Sequence, residues 1–371
     1  MANNNKHTGP NVPALRFPEF SGEWESRTIG DDCKILMCKR IFANQTTPEG
    51  EVPFYKIGTI GDKADAYISK KLFEEYKQRY NYPKCGEVMI TCAGTVGKTI
   101  LYNGQDAYYQ DSNIVWISNP RKIYSNEFLN YLLNRVDWSK LNSTTITRIY
   151  NDNLRELHIT FPSREEQDKI VSLLTGIDDR IDTQIKIIEE QETLLKSLAD
   201  SLISSQVANM ALNDCVVARS SAMKESELEN SGPFPVFGAS GLCGYSNEAL
   251  QESDSILVTK DGSGVGTCQY ATGAHSFLGT LCSLTAKEGV YLPYVYYALL
   301  NFNFASFKTG LAIPHIYFKD YGKAVIYCPS YDEQVRIASG LEKIEAKIKS
   351  DKELLKQYQL QKEYLLSRMF I

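Results

Sequence analysis

A heptad pattern near the middle of the chain constrains the fold more than any other feature. It begins after Pro162 with Ser163-Arg-Glu-Glu166, a capping box in which the Ser163 hydroxyl and the Glu166 side chain each accept from the other residue's amide. Polar Gln184 and Gln191 occupy two seam positions, and the other seam positions, at alternating steps of four and three, are Ile170, Leu174, Ile177, Ile181, Ile188, Leu195, Leu198 and Leu202. The pattern predicts a coiled-coil helix over residues 163–205, roughly 60 Å long.

The same stretch occurs a second time, 167 residues further along the chain. It begins with Pro329-Ser330, is interrupted by Asp351 and Lys362, and otherwise carries Ile337, Leu341, Ile344, Ile348, Leu355, Tyr358, Leu365 and Met369 at its seam. Shorter matches lie upstream, where Ile149-Tyr150 corresponds to Ile316-Tyr317 and Val96-Gly97 to Val265-Gly266. A repeat of this length is too long for a solenoid, so it indicates duplication of a domain plus a helix.

The predicted fold class is therefore α+β, with an internal pseudo-two-fold repeat. Two domains of mixed structure, residues 1–162 and 206–329, alternate with helices over 163–205 and 330–371. Runs of β-branched and aromatic residues predict short strands in both domains, and residues 126–141 and 291–300 have the pattern of amphipathic helices. To bury its seam on the first helix, the second must run back along it. We therefore expect an antiparallel coiled coil with one domain at each end.

Composition excludes several other classes of protein. The chain has no run of 18 apolar residues that would predict a membrane span, and its first residues lack the apolar stretch of a signal peptide. Nine cysteines, an odd number, fit a reducing cytoplasm, and four histidines without a Cys-x-x-Cys pair predict no metal site. Net charge is −5 and no segment is strongly basic, so any DNA binding would need local patches or a basic partner.

Residues 92–99, Cys-Ala-Gly-Thr-Val-Gly-Lys-Thr, differ by one substitution from a phosphate-binding P-loop. That motif requires glycine where Cys92 stands and a helix after it, whereas the next residues favour a strand. In the duplicate, Thr267 replaces Lys98. We favour a hairpin turn that presents Thr95 and Lys98 to DNA, and the alternatives are a purely structural turn and the nucleotide site of a P-loop nucleotidase.

Four features together resemble the DNA-specificity (S) subunit of type I restriction-modification systems, over nearly the whole chain. They are the duplicated Pro-Ser-x-x-Glu-Gln helices, the opening Leu15-Arg-Phe-Pro-Glu-Phe20 with Trp24, the Gly94-Thr-Val-Gly97 turn with its Gly264-Val-Gly266 counterpart, and Ile313-Pro-His-Ile316. The resemblance implies that each domain is a target-recognition domain for one half of a split, asymmetric sequence in double-stranded DNA. It also implies that the helices act as a ruler and dock two modification subunits.

Further partners and cofactors follow only from this resemblance. The modification subunits would hold S-adenosylmethionine and methylate adenine, and two restriction (motor-nuclease) subunits using ATP and Mg would complete a cytoplasmic complex. No cofactor is expected in this chain. It contains no Pro-Pro pair with which an adenine methyltransferase loop could be built, so we predict a non-catalytic protein.

Contacts with DNA should come from loops, where side chains can reach phosphates and base edges. In the first domain we expect them from Lys39, Arg40, Asn44, Gln45, Lys56, Thr95, Lys98 and Arg148. In the second domain we expect them from Ser240, Lys260, Ser263, Lys308 and His315. Each of these has a plainer interpretation as a solvated charge or a turn residue, and core packing is favoured for Tyr55, Tyr108 and Tyr109. A coiled-coil interaction scaffold that makes no DNA contact is the alternative function.

Overall fold

The computed structural model describes residues 11–141, 148–310 and 313–371. The chain divides into two compact units, which we call unit 1 (Met1–Asp182 with Gln357–Ile371) and unit 2 (Thr183–Lys356). Both boundaries fall inside long helices, so each unit contains a piece of each helix. Each unit therefore consists of one mixed α/β part together with the adjoining segments of both long helices.

Unit 1 contains short strands and helices in close succession. Its strands are β1 (Glu25–Thr28), β2 (Lys34–Leu36), β3 (Val52–Tyr55), β4 (Tyr67–Ile68), β5 (Val88–Thr91), β6 (Thr99–Leu101), β7 (Tyr108–Tyr109), β8 (Ile114–Ser118) and β9 (His158–Phe161). Its helices are α1 (Ile29–Asp32), α2 (Lys70–Arg79), α3 (Asn126–Asn134) and α4 (Asn151–Arg155), and α5 (Arg164–Ala199) begins in it. β-branched and aromatic residues fill the central strands, as pleated, buried surfaces favour.

Unit 2 repeats this order of elements, except that no helix corresponding to α2 lies between its described strands β13 and β14. Its strands are β10 (Met210–Ala211), β11 (Val216–Ser220), β12 (Phe234–Gly238), β13 (Gly241–Ser246), β14 (Ser255–Thr259), β15 (Cys268–Ala271), β16 (Ser276–Phe277), β17 (Leu281–Ala286) and β18 (Val325–Ile326). Its helices are α6 (Leu212–Cys215), α7 (Leu292–Leu300) and α8 (Phe318–Tyr321), and α9 (Tyr331–Met369) begins in it.

The sheets of the two units match strand for strand. Unit 1 has a four-stranded sheet of order β2-β8-β5-β6, a three-stranded sheet β4-β3-β7 and the pair β1-β9. Unit 2 has the corresponding sheets β11-β17-β14-β15, β13-β12-β16 and β10-β18. All pairings are antiparallel except β3 with β7 and β12 with β16, which are parallel. The duplication seen in the sequence is thus a duplication of topology.

Each long helix is anchored at its start by a buried glutamine. In unit 1 the Gln167 side chain accepts from the Ser125 amide at 2.8 Å and donates to the Pro162 carbonyl at 2.9 Å. In unit 2 Gln334 makes the same pair of bonds, to the Tyr291 amide and the Pro329 carbonyl, each at 2.9 Å. The repeated Pro-Ser-x-x-Glu-Gln motif therefore joins the first turn of a long helix to the helix of the adjacent mixed domain.

The long helices pack in opposite directions. In unit 1, early residues of α5 share a core with late residues of α9, namely Ile170, Leu174 and Ile177 with Leu365 and Met369, and Ile181 packs against it half-buried. In unit 2, late residues of α5 share a core with earlier residues of α9, namely Ile188, Leu195, Ile337, Leu341 and Ile348, with Leu198, Ile344 and Leu355 half-buried against it. Because the start of one helix meets the end of the other, the coiled coil is antiparallel, and the predicted fold class is confirmed.

A polar layer interrupts the apolar seam within unit 2. Asp351 is 3% exposed and accepts from the Gln191 amide at 2.9 Å and from the Lys347 ammonium at 2.6 Å. Gln184, also at the seam, is buried. A buried polar layer of this kind favours one register over its neighbours, because slipping the helices would separate Asp351 from Gln191.

Two local expectations differ from the structure. The helix expected over residues 126–141 ends at Asn134 and is followed by a separate 3₁₀ turn, Trp138–Leu141, because the Asp137 side chain accepts from the Ser139 amide and hydroxyl. At the end of α5 a π-helical turn, Asp200–Ser204, inserts an extra residue. Leu202, expected at the seam, is consequently exposed, and Ile203 is buried. Over the described ranges, no helix is long and apolar enough to cross a membrane.

Candidate nucleic-acid interface

A glycine turn forms the same corner in both units. Between β5 and β6, Gly97 has φ +84°, and a Cβ there would lie 2.0 Å from Trp138 Cδ1. Between β14 and β15, Gly266 has φ +93°, and a Cβ would lie 2.7 Å from Phe304 Cβ. Positive φ and the aromatic ring behind the turn each exclude other residues, which explains why the Val-Gly dipeptide is duplicated.

The corner in unit 1 does not have the geometry of a P-loop. The turn joins two antiparallel strands, β5 and β6, and no helix follows it whose amides could hold a phosphate. The Lys98 ammonium donates to the Ile60 carbonyl at 2.7 Å. Cys92, at the position where the motif requires glycine, is buried, and burial raises the pKa of its thiol to about 12. The segment is a hairpin turn that exposes Thr95 and Lys98.

A second segment lies beside the glycine turn in each unit. In unit 1 the Ile149 amide donates to the Cys92 carbonyl at 2.9 Å, and in unit 2 the Ile316 amide donates to the Lys260 carbonyl at 2.9 Å. These bonds place the residues just before, Arg148 and His315, next to the turn. The Ile-Tyr dipeptide that the two repeats share therefore lies where one loop docks onto another.

The corner of unit 2 gathers four of the five residues predicted there. His315 Nδ1 lies 2.7 Å from the Asp261 carboxylate, and His315 exchanges two backbone hydrogen bonds with Thr309, the residue after Lys308. Ser263 is exposed in the turn itself. Lys260 and His315 line an open cavity of about 630 Å³. The fifth predicted residue, Ser240, is exposed at the tip of the β12–β13 hairpin and is not among the residues that line this cavity.

In unit 1 the predicted cations converge on one loop and one turn. Arg148 donates to the Ser112 carbonyl at 3.3 Å, and Arg40 lies 3.7 Å from the neighbouring Asp111 carboxylate. On the other side, the Ile60 carbonyl accepts from the Lys98 ammonium, and the Ile60 amide donates to the Lys56 carbonyl at 3.0 Å. Lys98 and Arg148 therefore lie at the glycine turn, whereas the side chains of Arg40 and Lys56 form ion pairs with Asp111 and Asp65.

The remaining predicted contacts of unit 1 lie in the preceding loop. Lys39 packs its ammonium 5.5 Å from the centre of the Tyr80 ring. Asn44 is exposed in a 3₁₀ turn, Ala43–Gln45, and the Gln45 side-chain carbonyl accepts from the Phe42 amide at 2.9 Å. The side-chain carbonyl of Gln45 is therefore engaged within the turn. The Asn44 side chain forms no hydrogen bond of this kind among the described residues.

Sequence reasoning missed three kinds of residue at these corners. It did not identify Asp261, the acid that holds His315, or the exposed tyrosines Tyr150 and Tyr317, although the Ile-Tyr match pointed to the two rings. It also missed Lys319, which lines the cavity of unit 2.

The tyrosines expected to pack in the core do so. Tyr108 and Tyr109 are buried, and burial raises the pKa of both. Tyr55 stacks on Tyr109, with 5.8 Å between the ring centres. Within the described residues, no group of three or more histidine, cysteine or acidic side chains could hold a metal ion.

Comparison with known proteins gives the chain a family. A family profile described as the type I restriction modification DNA specificity domain matches residues 21–192 and 205–359. The Haemophilus influenzae protein S.HindORF215P, named as a type I restriction enzyme specificity subunit, is 46% identical over 162 residues, which are 44% of this chain and 41% of that protein. The Escherichia coli EcoprrI specificity subunit is 22% identical over 117 residues, which are 32% of this chain and 29% of that protein. The chain thus spans less than half the length of either relative.

Two solved structures share the fold. The type I restriction-modification S subunit from M. genitalium superposes with a TM-score of 0.67 and 21% identity, covering 97% of this chain and 99% of that one. A chain from a study of complex assembly and conformational transition of the type I R-M system gives a TM-score of 0.57 and 16% identity, covering 94% and 97%. The resemblance found in the sequence is confirmed, and because the family profile covers most of the chain, the protein belongs to the type I restriction-modification DNA specificity family.

Proposed function

We propose that the chain reads a two-part, asymmetric sequence in double-stranded DNA and positions modification subunits on it. Each unit would read one half of the target with the corner built around its glycine turn. The chain itself would carry out no chemistry, and adenine methylation would be performed by two bound modification subunits that hold S-adenosylmethionine.

The observation that carries this proposal is that one backbone corner occurs twice with different side chains. The glycine turn and the loop docked on it are held by equivalent hydrogen bonds in both units. At equivalent positions, however, Arg148 in unit 1 is replaced by His315 in unit 2, and Lys98 by Thr267. A guanidinium and an imidazole have different donors and acceptors and so favour different bases. Two similar readers with unlike side chains suit an asymmetric target.

The charge at each corner suits a nucleic-acid backbone. Lys98 and Arg148 lie at the turn of unit 1, with Arg40 and Lys56 paired to Asp111 and Asp65, while Lys260 and Lys319 line the cavity of unit 2. Net charge is nevertheless −5. Phosphate contacts from so few cations give modest, salt-sensitive affinity, so we expect full affinity only when the modification subunits add their own contacts.

The long helices offer apolar surface for those subunits. Ile187 on α5 and Leu354 on α9 occupy the same position of the repeat, and each is more than a third exposed. Leu194, one heptad beyond Ile187, is 50% exposed. We propose that these side chains contribute to docking one modification subunit on each helix. Two restriction subunits, using ATP and Mg, would join the same complex in a cytoplasm where the nine thiols stay reduced.

The test is to co-express the full chain with its modification subunit in a host without adenine methylation and to sequence the methylated adenines. We expect one motif with two specified halves, unlike each other and separated by a fixed number of unspecified bases. A gel shift of the co-purified complex should show the same preference. Co-purification without any sequence preference in methylation would instead support an interaction scaffold that makes no DNA contact.

A further inference from the structure

Each unit exposes one tyrosine at the same point of the repeat. Tyr150 is 59% exposed and Tyr317 is 49% exposed. Each stands directly before a short helix, α4 or α8, and directly after the isoleucine that docks on the glycine turn. Single exposed aromatic side chains are ordinary, and Tyr331 and Tyr364 are two others in this chain. A matched pair at the two candidate DNA corners nevertheless requires an explanation.

Local structure does not supply that explanation. Both tyrosines occupy the N-cap of their helices, where serine, threonine, asparagine or aspartate is favoured, and neither side chain makes a capping hydrogen bond. In unit 1 the amide of Tyr150 is satisfied by the Asn153 side chain at 2.8 Å, so the tyrosine ring contributes nothing to the cap.

Each ring has a cation over it. Arg148 Cζ lies 5.7 Å from the centre of the Tyr150 ring, and Lys319 Nζ lies 5.3 Å from the centre of the Tyr317 ring. The two cations come from different positions of the repeat, one two residues before its tyrosine and one two residues after. The pairing of a cation with an exposed ring is therefore present in both units even though the sequence that supplies it differs.

We propose that Tyr150 and Tyr317 each lay a ring face against a nucleobase whose face is opened when the adenine to be methylated leaves the helical stack, one in each half of the DNA target. This inference rests on the proposed function and names one tyrosine by which each unit would grip its half-site. A ring already held by a cation loses little freedom on binding, and nucleobase stacking on an aromatic ring does not depend on which base is present. These residues therefore supply affinity and position, while the side chains at the glycine turn supply sequence preference.

The chain provides a matched control for this proposal. Tyr364, on α9, is 57% exposed, and Arg368 Cζ lies 5.8 Å from the centre of its ring. It has the same exposure and the same cation pairing as Tyr150, but it lies on a long helix rather than at a glycine turn. Any effect that comes only from removing an exposed, cation-paired ring should appear equally in Tyr364→Ala.

The experiment uses the full chain in complex with its modification subunit and a fluorescein-labelled duplex carrying the methylated motif. We expect Tyr150→Ala and Tyr317→Ala each to weaken binding by roughly 5- to 100-fold, the usual range for loss of one base–aromatic stack. Tyr150→Phe, Tyr317→Phe and Tyr364→Ala should stay within about two-fold of the wild type, because they keep the ring or lie elsewhere. The methylated motif itself should not change.

Three results would overturn the proposal. If the phenylalanine variants lose as much affinity as the alanine variants, the hydroxyls and not the ring faces bind DNA. If the alanine variants behave like Tyr364→Ala while the wild type still prefers its motif, the rings do not touch DNA and the proposed function stands without them. If the wild type shows no preference for the motif over random duplex, both the proposed function and this inference fail.

Photo-crosslinking gives an independent test. An iodopyrimidine-substituted duplex should crosslink to Tyr150 and Tyr317, and crosslinks confined to other residues would count against the proposed stacking.

Discussion

The Tyr131 hydroxyl donates a 2.6 Å hydrogen bond to the carboxylate of Asp178. Unit 2 has an equivalent bond, because the Tyr297 hydroxyl donates to Glu345 at 2.7 Å, and Glu345 stands 167 residues after Asp178. In both units, a tyrosine on the helix of the mixed domain is bonded to a carboxylate on a long helix. Together with the buried glutamine at the start of each long helix, this bond fixes the mixed domain on the helix that would dock a partner.

Removing the hydroxyl of Tyr297 should loosen this connection in unit 2. The side chain is 1% exposed, and Tyr297→Phe would leave Glu345 with only the longer bond from Tyr296 at 3.2 Å. We expect a loss of about 1–2 kcal/mol in the free energy of unfolding, since the acceptor is charged and partly buried. Urea unfolding of the full chain measures it. Tyr331→Phe, at a 50% exposed tyrosine, is the control and should change stability little.

Two glycine-to-alanine substitutions should act in opposite directions. At Gly97, positive φ and a Cβ position 2.0 Å from Trp138 make alanine strained, and we expect a loss of at least about 2 kcal/mol. At Gly176, inside α5, a Cβ would meet nothing within 4 Å, so alanine should stabilise by about 0.5–1 kcal/mol through helix propensity. Thermal unfolding of both variants tests this. Equal effects would mean that the turn does not require glycine.

The coiled-coil seam should not tolerate a charge. Ile177 is 3% exposed and belongs to the core that the early part of α5 shares with the end of α9 in unit 1. Ile177→Asp removes this apolar side chain and buries a carboxylate without a partner, which should cost at least about 3 kcal/mol. The control is Ser172→Asp, at an exposed position of the same helix, which should be nearly neutral. If both variants unfold at the same urea concentration, the seam is not where α5 buries its apolar face.

The polar layer of unit 2 should make a pH-dependent contribution. The Lys347 ammonium and the Gln191 amide, which donate hydrogen bonds to Asp351, lower the pKa of its carboxyl from the ordinary value of 3.8. A carboxyl whose pKa is lower in the folded state stabilises the fold above the ordinary pKa, and that contribution is lost as pH falls through the lower value.

We therefore expect the stability difference between the wild type and Asp351→Asn to be largest near neutral pH and to shrink below about pH 4. Urea unfolding of both proteins at a series of pH values measures the difference. Glu363→Gln, twelve residues along the same helix at an exposed position, provides the comparison for loss of a charge outside the seam. A stability difference that grows on acidification would show that the Asp351 carboxyl is hydrogen-bonded in its protonated, neutral form.

The sequence predicted the parts of the fold that depend on local pattern. The two heptad stretches and the capping boxes identified both long helices, because a helix and its buried face are encoded by neighbouring residues. The parallel pairing of β3 with β7 and of β12 with β16 was not predicted, since short strands carry no signal for a partner so far along the chain. The role of Gln167 was missed for the same reason: the amide it accepts from, that of Ser125, lies 42 residues away.

The candidate site was predictable only where its residues flank the repeated motifs. Lys260, Ser263 and His315 were selected beside the glycine turn and the Ile-Pro-His-Ile segment, and the structure places them at one corner. Ser240 was selected only as a loop residue and is not among the residues that line that cavity. The pairing of Arg40 with Asp111 could not be foreseen, because it depends on how a loop between two sheets folds back.

The proposal that each unit reads a different half of one DNA target can be checked with reciprocal variants at the two corners. Arg148→Ala in unit 1, His315→Ala in unit 2 and, as a control, Lys287→Ala would each be co-expressed with the modification subunit, and the methylated adenines sequenced. Lys287 is exposed and lies at the opposite end of β17 from the corner of unit 2. We predict that Arg148→Ala relaxes the sequence in one half of the motif, His315→Ala relaxes the other half, and Lys287→Ala changes neither. Relaxation of the same half by both corner variants would contradict the claim.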